Sequence, residues 1–268
     1  MIYLDAHVHI QKKFNLDQFL LSALGNFDRQ RVASAAKSPG TYYLLLTEAK
    51  SLDFFSLLTE QARQSTGLLA PSWRIRPTGE TEAILLQHES QSASRMFVVA
   101  GRQIVTKERL EVLALATSAK IGDGQSMADT VEEVRNCGAL AVLPWGFGKW
   151  LGKRGQNISD FLKSASPESL FVGDNGGRPE FWPRPAPFDL AAHRGIRLLP
   201  GSDPLPLDGE EFRAGSYGAM IDGDCTHETP VSDLKRLLLD SNQTIIPFGK
   251  RLGAWQFFRT QLGLRLAK

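Results

Sequence analysis

His7 and His9 stand two residues apart in the stretch YLDAHVHI (3–10), and two imidazoles at that spacing on one strand can hold the same divalent ion. Strict alternation along a strand puts Tyr3, Asp5, His7 and His9 on one face and Leu4, Ala6, Val8 and Ile10 on the other. A carboxylate from a distant strand would complete a His₂–carboxylate set. Asp203, Asp174 and Glu48 are available for that role, each closing an apolar run. The competing reading of His-Val-His is an exposed edge strand or a mutually satisfied pair. For Asp203 it is a turn or cap ahead of Pro204.

The elements that must position these groups alternate between strand and helix patterns, the signature of an α/β chain. Asn15 is placed to cap a helix carrying Leu16, Phe19, Leu20 and Leu24 on one face. TYYLLL (41–46) reads as a strand buried on both faces, and Ser51 opens the next helix. Residues 73–105 break the rhythm and read as a short antiparallel meander with a turn at Pro77–Glu80. Ser126 caps a helix that Gly138 closes, and ALAVLPW (139–145), SLFVGD (169–174) and IRLLPGSD (196–203) follow as strands, with a helix around 157–165. The final helix, from about Arg251, aligns Leu252, Trp255, Phe258, Leu262 and Leu266 with only basic charges elsewhere; a basic amphipathic helix can bind a membrane or partner, but this one is expected to close the fold. In parallel α/β proteins the chemistry gathers at the C-terminal ends of strands, where all three carboxylates fall.

Composition narrows the function classes. A chain of 268 residues, 42% hydrophobic and 22% charged, can bury a full core, and residues 1–268 are expected to form one domain. The net charge of +2 is too small to argue for a nucleic-acid partner. Cys137 and Cys225 are expected to be buried thiols in a reducing compartment, and the absence of a signal-like or membrane-spanning apolar segment points to a cytoplasmic protein. No GxSxG elbow, phosphate-binding P-loop or CxxC pair is present, which leaves acyl-enzyme, P-loop and thiol mechanisms without a motif. His88, His193 and His227 acquire no chemical role.

Several short motifs together resemble the PHP (polymerase and histidinol phosphatase) superfamily of metal-dependent phosphoesterases. They are His-Val-His on the first strand, Thr47-Glu48-Ala49 where that family typically has TDH, and Gly101, Gln103 and Glu111 at its third motif. Leu143-Pro144 stands where it has HP, and Gly201-Ser202-Asp203 with Leu205 where it has SDxH. The resemblance spans about residues 1–207 and implies a distorted (β/α) barrel with the meander inserted. It also implies a reduced ligand set, since Ala49, Gln103, Leu143 and Leu205 replace expected ligands.

With that resemblance, His7, His9, Asp203 and Asp174 are expected to bind a divalent ion (zinc, manganese or magnesium). Asp203, Glu48 and Asp174 are the expected catalytic carboxylates. The glycine-rich WGFGKWLGKRG (145–155) and GDNGGRP (173–179) supply Lys149, Arg154 and Arg178, and AGRQ supplies Arg102, as cations for a small phosphorylated substrate. The same loops can instead be solvated turns. The expected activity is metal-assisted phosphoester hydrolysis. The alternatives are a degenerate barrel that binds an anion without turning it over, and amidohydrolase-type C–N hydrolysis.

Overall fold

A computed structural model describes residues 1–36, 38–64, 72–91 and 93–266. The first half runs β1 (Ile2–Val8), α1 (Leu16–Ala33), β2 (Thr41–Leu46), α2 (Phe54–Gln64), β3 (Trp73–Pro77), β4 (Ala83–His88), β5 (Arg95–Val99), β6 (Gly101–Val105) and β7 (Glu111–Leu115). It continues with α3 (Met127–Asn136), β8 (Leu140–Pro144), α4 (Gly152–Ser164), β9 (Leu170–Gly173), α5 (Ala186–His193) and β10 (Arg197–Leu198). The remaining elements are β11 (Tyr217–Ile221), α6 (Pro230–Leu239), β12 (Ile246–Gly249) and α7 (Ala254–Leu266).

These strands correct the expected barrel. Among the described residues they form two mixed sheets, ordered β12-β11-β1-β2-β5-β4-β3 and β10-β9-β8-β7-β6, and neither closes on itself. The physical reason lies between residues 73 and 115. There, β3 to β7 follow one another without an α-helix, so their neighbours pair antiparallel and cannot continue a parallel βα repeat. The meander is also not an insertion, because β5 pairs in parallel with β2 and β6 begins the other sheet.

The two sheets stack in four layers. Tyr42, Leu44, Leu46 and Val98 pack outward against Phe19, Phe27, Phe55 and Leu58 of α1 and α2. Val112, Ala141 and Val172 of the other sheet pack outward against Val131, Ile158 and Phe188 of α3, α4 and α5. Between the sheets Leu4, Tyr43, Phe97, Leu113, Val142 and Phe171 meet, and Leu234 and Leu238 of α6 cover one end. TYYLLL is thus apolar throughout because both its faces are interior, as the sequence pattern predicts.

Local chemistry sets two helix starts where the sequence placed them, whereas α2 opens at Phe54, with Asp53 accepting the Ser56 N–H, and not at Ser51. Asn15 accepts the Gln18 N–H, Ser126 accepts the Asp129 N–H, and Gly138 follows α3 at φ +68°. Two further expectations fail. Cys137 is exposed at the end of α3, whereas Cys225 is buried. More consequentially, α7 packs through Phe257 and Thr260, leaving Trp255 78% exposed and Phe258, Leu262 and Leu266 at least 59% exposed. No described helix is long and apolar enough to cross a membrane.

Candidate metal centre

The centre forms where β1 meets the segment after β10. Strand β1 shifts register between Asp5 and Val8, so Tyr3 shares the outer cluster with Val8 and Ile10 instead of alternating with them. The shift breaks the single polar face that strict alternation implies and turns the two imidazoles inward. Opposite them, Pro200 accepts the Ala6 N–H at 3.3 Å, and the Asp203 N–H donates to the His7 carbonyl at 2.8 Å. Gly201 makes this approach possible, because a Cβ there would lie 2.3 Å from the His7 nitrogen. Asp203 takes a left-handed φ of +50°, which Asp tolerates better than most residues.

The result is a tight triangle. His7 Nε2 lies 3.1 Å from His9 Nε2, and each nitrogen is 3.5 Å from Asp203 Oδ1. All three residues offer ligand atoms within 4.8 Å of one another, and both histidines are buried. Bonds of about 2.1 Å at tetrahedral angles would separate ligand atoms by about 3.4 Å, so the spacing suits one small divalent ion. Burial first, and then the neighbouring His7, push the His9 imidazole down to about 4, which keeps it neutral with a lone pair to share. For Asp203 burial works upward, but the two imidazoles, Asn175 and Lys149 outweigh it and hold the carboxyl at about 2, an anionic donor. The donor set therefore fits a divalent metal.

Around the triangle stand Asn175 and Asp5, for which sequence reasoning found no role, and Gln103 and Glu111, which the motif resemblance aligns with a ligand motif. Asn175 Nδ2 donates to Asp203 Oδ2 and to the Trp145 carbonyl, leaving Oδ1 facing the imidazoles. Thr47 Oγ1 lies 3.5 Å from His9 Nε2, Gln103 donates through Nε2 to Glu111 Oε1 at 3.1 Å, and Lys149 is ion-paired with the same Glu111 oxygen. Asp5 is fully buried behind the centre, accepting from the N–H groups of His7, Ser202 and Gly215 and from the Ser202 hydroxyl. Asn175 belongs to no metal-ligand motif, so nothing in the sequence signals its place beside Asp203, whereas Gln103 stands where the resembled family has a ligand. A cavity of about 150 Å³ opens over Asp203, bounded by Glu111, Lys149, Asn175 and, from α7, Thr260, Gln261 and Leu264.

The other predicted site residues stand elsewhere. Asp174 accepts from two guanidinium nitrogens of Arg178, Nε and Nη2, at 2.7 Å and from the Tyr217 hydroxyl at 2.8 Å, so both its oxygens are engaged away from the triangle. Arg178 is consumed by that buried pair. Arg154 donates to the Gly148 carbonyl at 2.8 Å, and Arg102 to the Ile121 carbonyl at 3.1 Å. Of the four predicted cations, Lys149 alone lines the cavity over Asp203. Trp145 and Trp182 meet edge to face, and Trp150 donates to the Pro144 carbonyl.

Glu48 and Arg102 line a separate cavity of about 420 Å³ together with Lys50 and Lys120. The Glu48 Oε1 accepts the Phe54 and Phe55 N–H groups at the start of α2, while burial raises its carboxyl from 4.5 to about 7. The folded chain thus holds a proton that the unfolded chain has already lost between these values. Stability falls as pH rises from about 4.5 to about 7, by on the order of 3 kcal/mol. Glu48→Gln is expected to remove that slope, matching wild type in urea unfolding at pH ~5 and exceeding it by about 2–3 kcal/mol at pH ~8. Parallel pH profiles for the two proteins would show that Glu48 ionises freely.

No family model matches the chain, and no curated protein matches it. Solved structures do. PsfC from Pseudomonas syringae PB-5123 aligns over 99% of this chain and 97% of its own, with 11% identity and a TM-score of 0.55. The lesion-specific endonuclease PfuEndoQ from Pyrococcus furiosus aligns over 92% of this chain, also with 11% identity, at a TM-score of 0.53. This chain spans 58% of the PfuEndoQ chain. At that identity the likeness is one of fold.

Proposed function

We propose that the protein is a metal-dependent hydrolase of phosphoesters, with His7, His9 and Asp203 holding one divalent ion. The observation that carries this reading is the Nε2–Nε2–Oδ1 triangle with sides of 3.1, 3.5 and 3.5 Å, a neutral imidazole and an anionic carboxylate among its corners. When bound, a divalent ion supplies Lewis-acid polarisation and makes nearby water a better nucleophile at neutral pH.

The chain's own groups divide the remaining work. Asn175 fixes the Asp203 carboxylate, so this donor is oriented before any ligand arrives. Lys149 places a positive charge on the cavity wall, where it would stabilise charge building on phosphoryl oxygens, and its partner Glu111 is the carboxylate placed to take a proton. The α7 residues Thr260, Gln261 and Leu264 form one wall of the cavity. At about 150 Å³ the cavity admits a phosphoryl group with its leaving oxygen but not a drug-sized molecule, so the rest of a substrate must extend outside.

Phosphoester chemistry is favoured over C–N hydrolysis by the motif resemblance and by the fold shared with a protein described as an endonuclease, an enzyme that cuts phosphodiesters. A panel of phosphomonoesters, phosphodiesters and amides, assayed with manganese or zinc, tests it. Wild type is expected to turn over a phosphoester and no amide. Lys149→Met should lose about 10–100-fold in kcat/KM, and His7→Ala should lose activity altogether. Amide turnover, equal activity in His7→Ala, or metal binding without any turnover would each reject the proposal.

A further inference from the structure

We infer that the outer face of α7 docks the protein on an anionic phospholipid surface. The four apolar side chains that solvent sees on this helix, Trp255, Phe258, Leu262 and Leu266, are spaced 3, 4 and 4 residues apart and are 59–78% exposed. At about 100° per residue they occupy an arc of about 80°, opposite the inner face that walls the cavity over Asp203. Phe181, itself 53% exposed, stacks on Phe258 and widens the patch. A contiguous apolar surface of this kind marks a contact, because scattered exposed apolar residues do not line up along a helix.

Charge decides what covers it. Arg259 and Arg265 lie about 20° beyond the two edges of the apolar arc, both exposed, where long side chains can reach around buried carbon to phosphate groups. From Ser241 to Lys268 the sequence carries five basic residues and no acidic one, whereas the whole chain has a net charge of only +2. Residues 1–240 therefore carry 26 basic against 29 acidic residues, and the net positive charge of the chain comes from this segment. A second copy would set these arginines against each other with no carboxylate in the segment to relieve them. A bilayer surface bearing anionic headgroups accepts both features at once, its acyl boundary taking the apolar arc and an indole at the interface. Glu180, next to Phe181 in the chain, is the one acidic neighbour of the patch in sequence.

The docking face is independent of the metal centre, so it is tested with the full chain and no substrate. Flotation with vesicles of phosphatidylcholine, alone or mixed with phosphatidylglycerol, reads the partition directly. Wild type is expected to float with the mixed vesicles only, and to be released as salt rises from about 0.1 to about 0.5 M. Arg259→Glu/Arg265→Glu and Phe258→Ser/Leu262→Ser should each lower the partition at least about tenfold, while Arg259→Lys/Arg265→Lys retains it. All positions are solvent-exposed, and unchanged thermal melts will establish that the variants are folded. Absence of flotation, equal partition on neutral vesicles, or undiminished binding by the variants would overturn the inference. So would a dimer in sedimentation equilibrium that Phe258→Ser/Leu262→Ser abolishes, which would assign the face to a second copy.

Discussion

Asp203→Asn should yield a folded protein that binds zinc or manganese at least about 100-fold more weakly than wild type, about 2.7 kcal/mol of affinity. The substitution preserves volume, and Asn tolerates the left-handed backbone found here at φ +50°, so the loop keeps its course. What it removes is the anionic oxygen that faces both imidazoles at 3.5 Å. Two imidazoles alone make a weak site, whereas changes to supporting groups cost about 10–100-fold. Equilibrium dialysis against the metal, with urea unfolding as the fold control, measures this. Affinity within about threefold of wild type would mean that the triangle is a hydrogen-bonded cluster and Asp203 a structural partner of the two histidines.

Asp5→Ala should cost about 3–5 kcal/mol of stability, a Tm drop on the order of 6–15 °C, in protein stripped of metal. Asp5 has no exposed surface, and each of its oxygens takes two hydrogen bonds: Oδ1 from the main chain of His7 and Ser202, Oδ2 from the Ser202 hydroxyl and the Gly215 main chain. Truncation orphans three buried N–H groups and a hydroxyl together, each of which carries its own desolvation penalty. Because the same carboxylate ties β1 to the residue before Asp203, metal affinity should fall with stability. Asp5→Asn, which retains one acceptor, should lie between. A drop below about 2 °C in Asp5→Ala would show that these groups find other partners or water.

The parts of the site that could be read from sequence were those written in consecutive residues. His-Val-His and Gly-Ser-Asp are short, their residue types are diagnostic, and strand ends are where such groups converge. Their support was not legible, because it joins residues far apart: Asp5 meets Ser202 across 197 positions and Asn175 meets Asp203 across 28. The Asp174–Arg178 pair had a readable signal, opposite charges four apart, but that spacing alone does not say whether Arg serves a ligand or its neighbour.

The fold shows the same division. The helix caps at Asn15 and Ser126 and the doubly buried β2 follow from local rules that the structure obeys. The barrel did not, because sheet closure depends on how β3 to β7 pair, and the alternation of strands and helices does not set that pairing. On α7 the apolar pattern was strong enough to mislead. Both faces carry apolar residues, and the larger stripe, with Trp255, Phe258, Leu262 and Leu266, is the one left outside. The side that packs uses Phe257 and Thr260, a weaker pattern in sequence but the one that fits over the cavity.

The triangle of His7, His9 and Asp203 is tested most directly by the metal content of the purified full chain after incubation with manganese or zinc and removal of free ion. One divalent ion at this donor set predicts about one equivalent per chain, reduced to background in His7→Ala. Less than about a tenth of an equivalent in wild type, or an equal content in His7→Ala, would contradict a metal centre at these residues.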